Sequence, residues 1–364
     1  MGATGLQKAM SLLLLAFVGR YVRNRFSKEA AKGVNTLIMS TMLPAVLFKS
    51  LASVTAERSM MFLPVLGVAF VIYQAIAGEL IGTVLFGPSK ALVVPRRTVA
   101  LMVPSIAPGL SAFAFINEFV GTEAAGLAAM ADLASKVYLV ALMPIHLSLS
   151  GASGSEARHS AAAASPASRI VQELKDPLNL SILGGLAMSI CGRDVASLGV
   201  VGDAILTLAS AQTPVLFVLI GIKVSFEGST PAICAASLCL RFGCTLLFAH
   251  LAVWLLRLPD DHALAATIMC QAAVSVMAYG QLEKVAVSRG YDKDLAFDLV
   301  SFSFPLSVAL NTTACIARGA YVARLLPISA GFLAAGAALA VALRDTIRDA
   351  GSWATVAMDG KKER

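Results

Sequence analysis

Charge is scarce in this sequence: 14% of its 364 residues are Asp, Glu, Lys or Arg, where a soluble domain carries about 25%. An ordinary soluble globular protein is thereby excluded. Enzyme signatures are missing too. The chain holds no HExxH, GxSxG or GxxxxGK[ST] pattern, so protease, hydrolase and ATP-driven chemistry find no support, and the chain reads as a non-enzyme without a cofactor. Its six cysteines, at 191, 234, 239, 244, 270 and 315, lie in apolar stretches without zinc spacing and read as small apolar fillers. The four histidines, His146, His159, His250 and His262, are scattered. The net charge of +7 gives no reason to invoke nucleic acid; in a membrane protein such an excess sits in loops and sets orientation.

What is abundant is apolar length. Hydrophobic residues make up 57% of the chain and mean hydropathy is +0.78, which predicts a polytopic protein of the lipid bilayer. Spans are expected at 6–22, 34–54, 60–86, 98–120, 123–149, 177–192, 196–222, 230–256, 262–287 and 295–317, with an eleventh apolar stretch at 319–343. Gly19-Arg20 and a basic loop follow the first run where a signal peptide would show a small-residue cleavage site, so that run reads as a retained span. An Ala/Ser-rich segment, Ser150–Ser168, separates two halves of five spans. The resulting division is 1–149, a linker at 150–175, a second half at 176–318, and an extra apolar helix with a basic tail at 319–364.

Lys and Arg crowd into alternate loops, among them Arg20, Arg23, Arg25, Lys28 and Lys32, then Lys90, Arg96 and Arg97, then Arg158, Arg169 and Lys175. The opposite loops are sparsely basic. The asymmetry places the N-terminus outside and the central linker in the cytosol.

Within the fourth span, Val99–Gly121 reads VALMVPSIAPGLSAFAFINEFVG. Pro104 and Pro108-Gly109 interrupt it. Proline removes a backbone donor and clashes with the preceding turn, and unwound backbone at membrane depth survives only when buried in protein or facing a cavity. Interrupted helices of this kind mark transporter binding sites, and Ser105 lies at the break.

Five spans per half is odd, so the second half enters the membrane inverted. Weak similarity recurs at an interval of about 170 residues: TMLPAVLF (41–48) with AQTPVLFV (211–218), and ADLAS (131–135) with FDLVS (297–301), pairing Pro44 with Pro214 and Asp132 with Asp298. The predicted fold is an all-α polytopic membrane protein of two inverted five-helix repeats, with an extra C-terminal helix.

The stretch SLLLLAFVGRYVRNRFSKEAAKGVNTLIMSTMLPAVLFKSLA (11–52) resembles the opening of the auxin efflux carrier family in its glycine and basic pair after span one, its SKEAAKGVN helix start and its LPAVLF motif. RRTVALMVPSIAP and GTEAAGLAAMADLASKVYLV, within 96–140, resemble that family's fourth and fifth spans. The likeness is close over about 10–145 and looser over 176–318. It implies the ten-span fold shared with bile-acid/sodium symporters, in which spans four and nine are broken and cross. Spans one, two, six and seven then form a scaffold and the others a moving unit. It also implies organic anions as substrates: auxins in plant members, small dicarboxylates in bacterial ones. The chain departs from the family at Val274-Ser275, where many relatives carry proline, and at Pro104-Ser105, where many carry Asn-Thr-Gly.

Several polar residues fall at membrane depth. Asp132 and Lys136 are four apart on one face of span five, spaced to pair and to exchange a proton. Asp298 repeats Asp132 without a basic partner in its own span. Asn117 lies beyond Pro108-Gly109, within reach of a cavity. Gln271 and Ser275 share a helical face with Tyr279 and suit a carboxylate or Na⁺ ligation through oxygen. Glu79 and Arg241 lack partners in their own helices and are expected to pair with each other. The functional expectation is a secondary transporter for a small organic anion, auxin-like or another carboxylate, working by alternating access. Coupling to H⁺, to Na⁺ or to neither stays open, and a homodimer is compatible with the sequence. The alternative is a membrane sensor that keeps the carrier fold without net transport.

Overall fold

In lipid each backbone N–H and C=O must be satisfied within the chain, so apolar runs of this length form helices. The computed structural model describes residues 2–54, 62–89, 92–106, 108, 112–137, 143, 177–223 and 230–343, and its named elements are all helical. Gly109, the 150–175 linker and the basic tail from 344 onward lie outside the described residues.

The helices are α1 (Gly2–Val22), α2 (Lys28–Leu37), α3 (Leu43–Ala52), α4 (Phe62–Phe86), α5 (Val93–Met102), α6 (Thr122–Val137) and α7 (Pro177–Ile190). They continue as α8 (Val200–Lys223), α9 (Pro231–Leu256), α10 (Asp260–Cys270), α11 (Val276–Arg289), α12 (Lys293–Ala317) and α13 (Leu325–Ala342). Local chemistry sets several starts. Ser27 caps α2 by accepting from the Ala30 amide at 3.1 Å, and Asp292 caps α12 by accepting from the Leu295 amide at 2.9 Å. α2 runs into α3 through a π turn, Ile38–Met42, immediately before buried Pro44. The wider turn there absorbs the donor that proline lacks.

Six helical stretches among the described residues are long and apolar enough to cross a membrane: Glu29–Ala52, Leu63–Phe86, Val200–Ile222, Pro231–Leu256, Lys293–Ala317 and Leu325–Ala342. This is consistent with an all-helical, multi-pass membrane protein. The expected first, fourth, fifth, sixth and ninth spans are not in that set: the fourth and ninth are interrupted, and the sixth is the shorter apolar helix Pro177–Ile190.

The helices can be taken as two groups packed against each other. α1 packs on α8, α3 on α7, and α8 on α3. In the second group α4 packs on α5, α6 and α9; α9 on α10 and α12; and α11 on α12. α3 against α6 and α1 against α12 join the groups. Glycine permits the closest approach. A Cβ on Gly221 would sit 1.8 Å from the Ala16 carbonyl oxygen, and one on Gly19 would sit 2.0 Å from that of Val218. Small residues bring membrane helices into backbone contact in this way.

α13 runs antiparallel to α9. Gly243 abuts Leu333, Gly336 abuts Leu240, and Ser329 Oγ donates to the Gly243 carbonyl at 2.7 Å. The eleventh apolar stretch thereby joins the second group.

Candidate functional site

α5 ends at Met102 because Pro104 cannot continue it. Its ring lies against α4 at a point where only glycine fits: a Cβ on Gly78 would be 2.8 Å from Pro104 Cγ and 2.7 Å from the Ala100 carbonyl. The turn closes locally, with the Ser105 amide donating to the Met102 carbonyl at 3.1 Å and Ser105 Oγ to the same oxygen at 2.6 Å. The Val103 carbonyl accepts Arg241 Nε at 2.9 Å. Helical bonding resumes with the Ala112 amide donating to the carbonyl of buried Pro108 at 2.8 Å, and the span ends in a π turn, Ile116–Val120.

The ninth span breaks without a proline. α10 stops at Cys270 and α11 begins at Val276. Serines on α12 stand in for the lost helical bonds: Ser303 Oγ accepts from the Val274 amide at 3.0 Å, and Ser307 Oγ donates to the Gln271 carbonyl. Ser275 Oγ accepts from the Ala278 amide at 3.4 Å and starts α11. Gln271 therefore does not share a helical face with Ser275 and Tyr279, as their spacing suggested, whereas the Ser275 carbonyl accepts the Tyr279 amide at 3.2 Å on the far side of the break. Gln271 and Ser275 flank the break instead. Gln271 Nε2 donates to the Tyr321 hydroxyl at 2.6 Å, while its buried Oε1 has no hydrogen-bond partner.

The two breaks meet. Ile106 and Val274 form an antiparallel backbone bridge, and the Ser275 amide donates to Ser105 Oγ at 3.4 Å. Ser105, Ile106, Gln271, Val274 and Ser275 are all buried. Two interrupted helices thus contact each other through non-helical backbone in the buried interior, where unpaired peptide groups are costly.

The remaining candidates sit elsewhere. Asp132 is buried on α6; the Lys136 side chain lies outside the described residues. Asp298 is buried on α12 and its Oδ2 accepts from the Thr230 amide at 3.1 Å and the Thr230 hydroxyl at 3.0 Å. It ties α12 to the start of α9. Asn117 lies in the π turn, where its Oδ1 accepts from Thr122 Oγ1 at 3.4 Å, away from the bridge. Neighbouring carbonyls of that turn are held by Lys8 Nζ, on Glu118, at 2.9 Å and Arg318 Nη2, on Phe119, at 2.6 Å.

Glu79 and Arg241 do not pair. Glu79 is exposed on the stripe of α4 that carries Ile72, Ile76 and Leu80, while the Arg241 side chain is fully buried. The sequence also gave no hint of Ser303, Ser307 and Tyr321 as partners of the ninth-span break. Their only local signal is the i, i+4 spacing of two serines in an apolar helix.

An apolar cavity of about 470 Å³ lies between α4, α6, α9 and α10, within the size range of small-molecule sites. Phe70, Ala128, Phe248 and Met269 line it, Ser135 and His262 supply polar edges, and it reaches the crossing at Ile106 and Cys270. Among the described residues no group of three or more His, Cys, Asp or Glu could hold a metal ion. Compared with models of known protein families and with curated protein sequences, the chain matches neither.

Proposed function

We propose that this chain is a secondary transporter for a small organic anion, auxin-like or another carboxylate, and that it works by alternating access. The observation that carries the reading is the antiparallel bridge between Ile106 and Val274, where two interrupted helices meet in the protein interior. Half-helices present N-terminal amides at such a break, and these bind a carboxylate without a full buried counter-charge. The cavity reaching Ile106 and Cys270 offers room for an apolar body beside that polar backbone.

An inverted repeat is part of the same proposal, and two observations support it. Ile106 and Val274 stand about 170 residues apart, the interval at which the two halves resemble each other. If span one corresponds to six and two to seven, the packing of α1 on α8 and of α7 on α3 exchange with each other under a two-fold rotation. The group containing α1, α3, α7 and α8 is the scaffold of this account, and the group containing the crossing is the unit that moves.

The non-transporting sensor is favoured by one feature, the close seating of α13 along α9. Uptake of labelled carboxylates into proteoliposomes separates the two. The transporter reading expects saturable, counter-substrate-stimulated uptake; binding without uptake favours the sensor.

A further inference from the structure

Among the described residues Arg241 is a cation without a counter-charge. Its side chain is fully buried on α9, its Nε donates to the Val103 carbonyl at 2.9 Å, and Nη1 and Nη2 have no hydrogen-bond partner. Among the described residues no carboxylate forms an ion pair with it, whereas Lys293 pairs with Glu283 and Arg318 with Asp261. A buried guanidinium is tolerated when paired and hydrogen-bonded, and a charge left alone in a membrane interior marks a functional site.

Two further polar groups at this place are also unsatisfied. Ser237 lies one turn before Arg241 on the same face of α9, and its buried hydroxyl has no partner. Gln74 is buried on α4 with both amide atoms unpartnered. It falls between Tyr73, whose hydroxyl donates to the Cys244 carbonyl of α9 at 2.9 Å, and Gly78, which abuts Ala100 and Pro104. Gln74 is one turn before Gly78 on α4, and the residues that Gly78 abuts, Ala100 and Pro104, flank Val103, which Arg241 reaches.

We infer that Arg241, with Gln74 and Ser237, forms a binding site for a small anion beside the break of the fourth span. The two free N–H edges of the guanidinium match a carboxylate in bidentate fashion, and the Gln74 amide and Ser237 hydroxyl supply further donors. The anion is either the carboxylate of an organic solute or a resident halide. The site does not depend on the transport reading, since binding in a protein that moves no solute leaves it standing.

Thermal unfolding of the purified protein, followed while sodium acetate or sodium chloride is titrated at constant ionic strength set with a bulky sulfonate, tests this. The wild type is expected to show a saturable rise in midpoint. Acetate acting where chloride does not identifies a carboxylate site, and equal action of both identifies a halide site; either outcome supports the assignment. Arg241→Gln is expected to raise the half-saturating concentration at least about tenfold, the equivalent of a lost hydrogen bond to a charged group. Should that variant fail to fold, Ser237→Ala and Gln74→Leu decide in its place, each with an expected several-fold increase. No saturable dependence in the wild type, or unchanged half-saturation in the folded variants, overturns the inference.

Discussion

Ser105 and Ser275 face each other across the crossing: the Ser275 amide donates to Ser105 Oγ at 3.4 Å, and that hydroxyl donates onward to the Met102 carbonyl at 2.6 Å. One side chain therefore serves both interrupted helices. Ser105→Ala leaves the Ser275 amide without this partner in a buried place, an expected loss of about 1–3 kcal/mol. Chemical unfolding of the two proteins measures it. A change below a few tenths would mean that water or backbone shifts replace the hydroxyl.

Ser303→Ala acts on the other break. It removes the acceptor of the Val274 amide, and an expected about 1–3 kcal/mol of stability goes with it. Hydrogen exchange should show the accompanying local effect, with faster exchange at residues 271–275 and little change in α1 or α8. Uniform acceleration across the protein would show that α12 and the break are not locally coupled.

Gly221→Val probes the packing of α1 on α8. The new Cβ would overlap the Ala16 carbonyl, 1.8 Å from its oxygen, forcing α1 and α8 apart. Overpacking of this kind costs about 1–3 kcal/mol. A lowered thermal midpoint is expected, and an unchanged one would place α1 farther from α8.

Pro104→Ala addresses the break that proline enforces. With an N–H restored and the ring gone, α5 can extend past Met102. Solute flux in proteoliposomes is expected to fall several-fold while the protein still folds. Normal flux would make the interruption a packing feature without a part in turnover.

The apolar runs were legible because they end at polar loops: the run at 230–256 folds as Pro231–Leu256, that at 60–86 as Phe62–Phe86, and that at 295–317 as Lys293–Ala317. The fourth-span break was legible in Pro104. The ninth-span break was not legible in its own residues, because Gln271–Ser275 contains no proline and its backbone partners, Ser303 and Ser307, lie on another helix. Reading Gln271, Ser275 and Tyr279 as one helical face assumed a continuity that the break removes. Glu79 and Arg241 were matched by charge alone. The helical spacing of Glu79 with exposed Ile72, Ile76 and Leu80 already placed it away from the interior that Arg241 occupies.

The meeting of the two breaks is most directly tested by a cysteine pair, Ile106→Cys with Val274→Cys, in a protein whose six native cysteines are replaced. Opposed residues of an antiparallel bridge have Cα atoms about 4.5–5.5 Å apart, a separation that a disulfide spans. Mild oxidation in membranes, followed by proteolytic cleavage within the 150–175 linker, is expected to leave the two halves covalently joined until reductant is added. Halves that separate without reductant, while a control pair on the facing residues Leu51 and Gly185 of α3 and α7 stays joined, would contradict the crossing and the transport mechanism built on it.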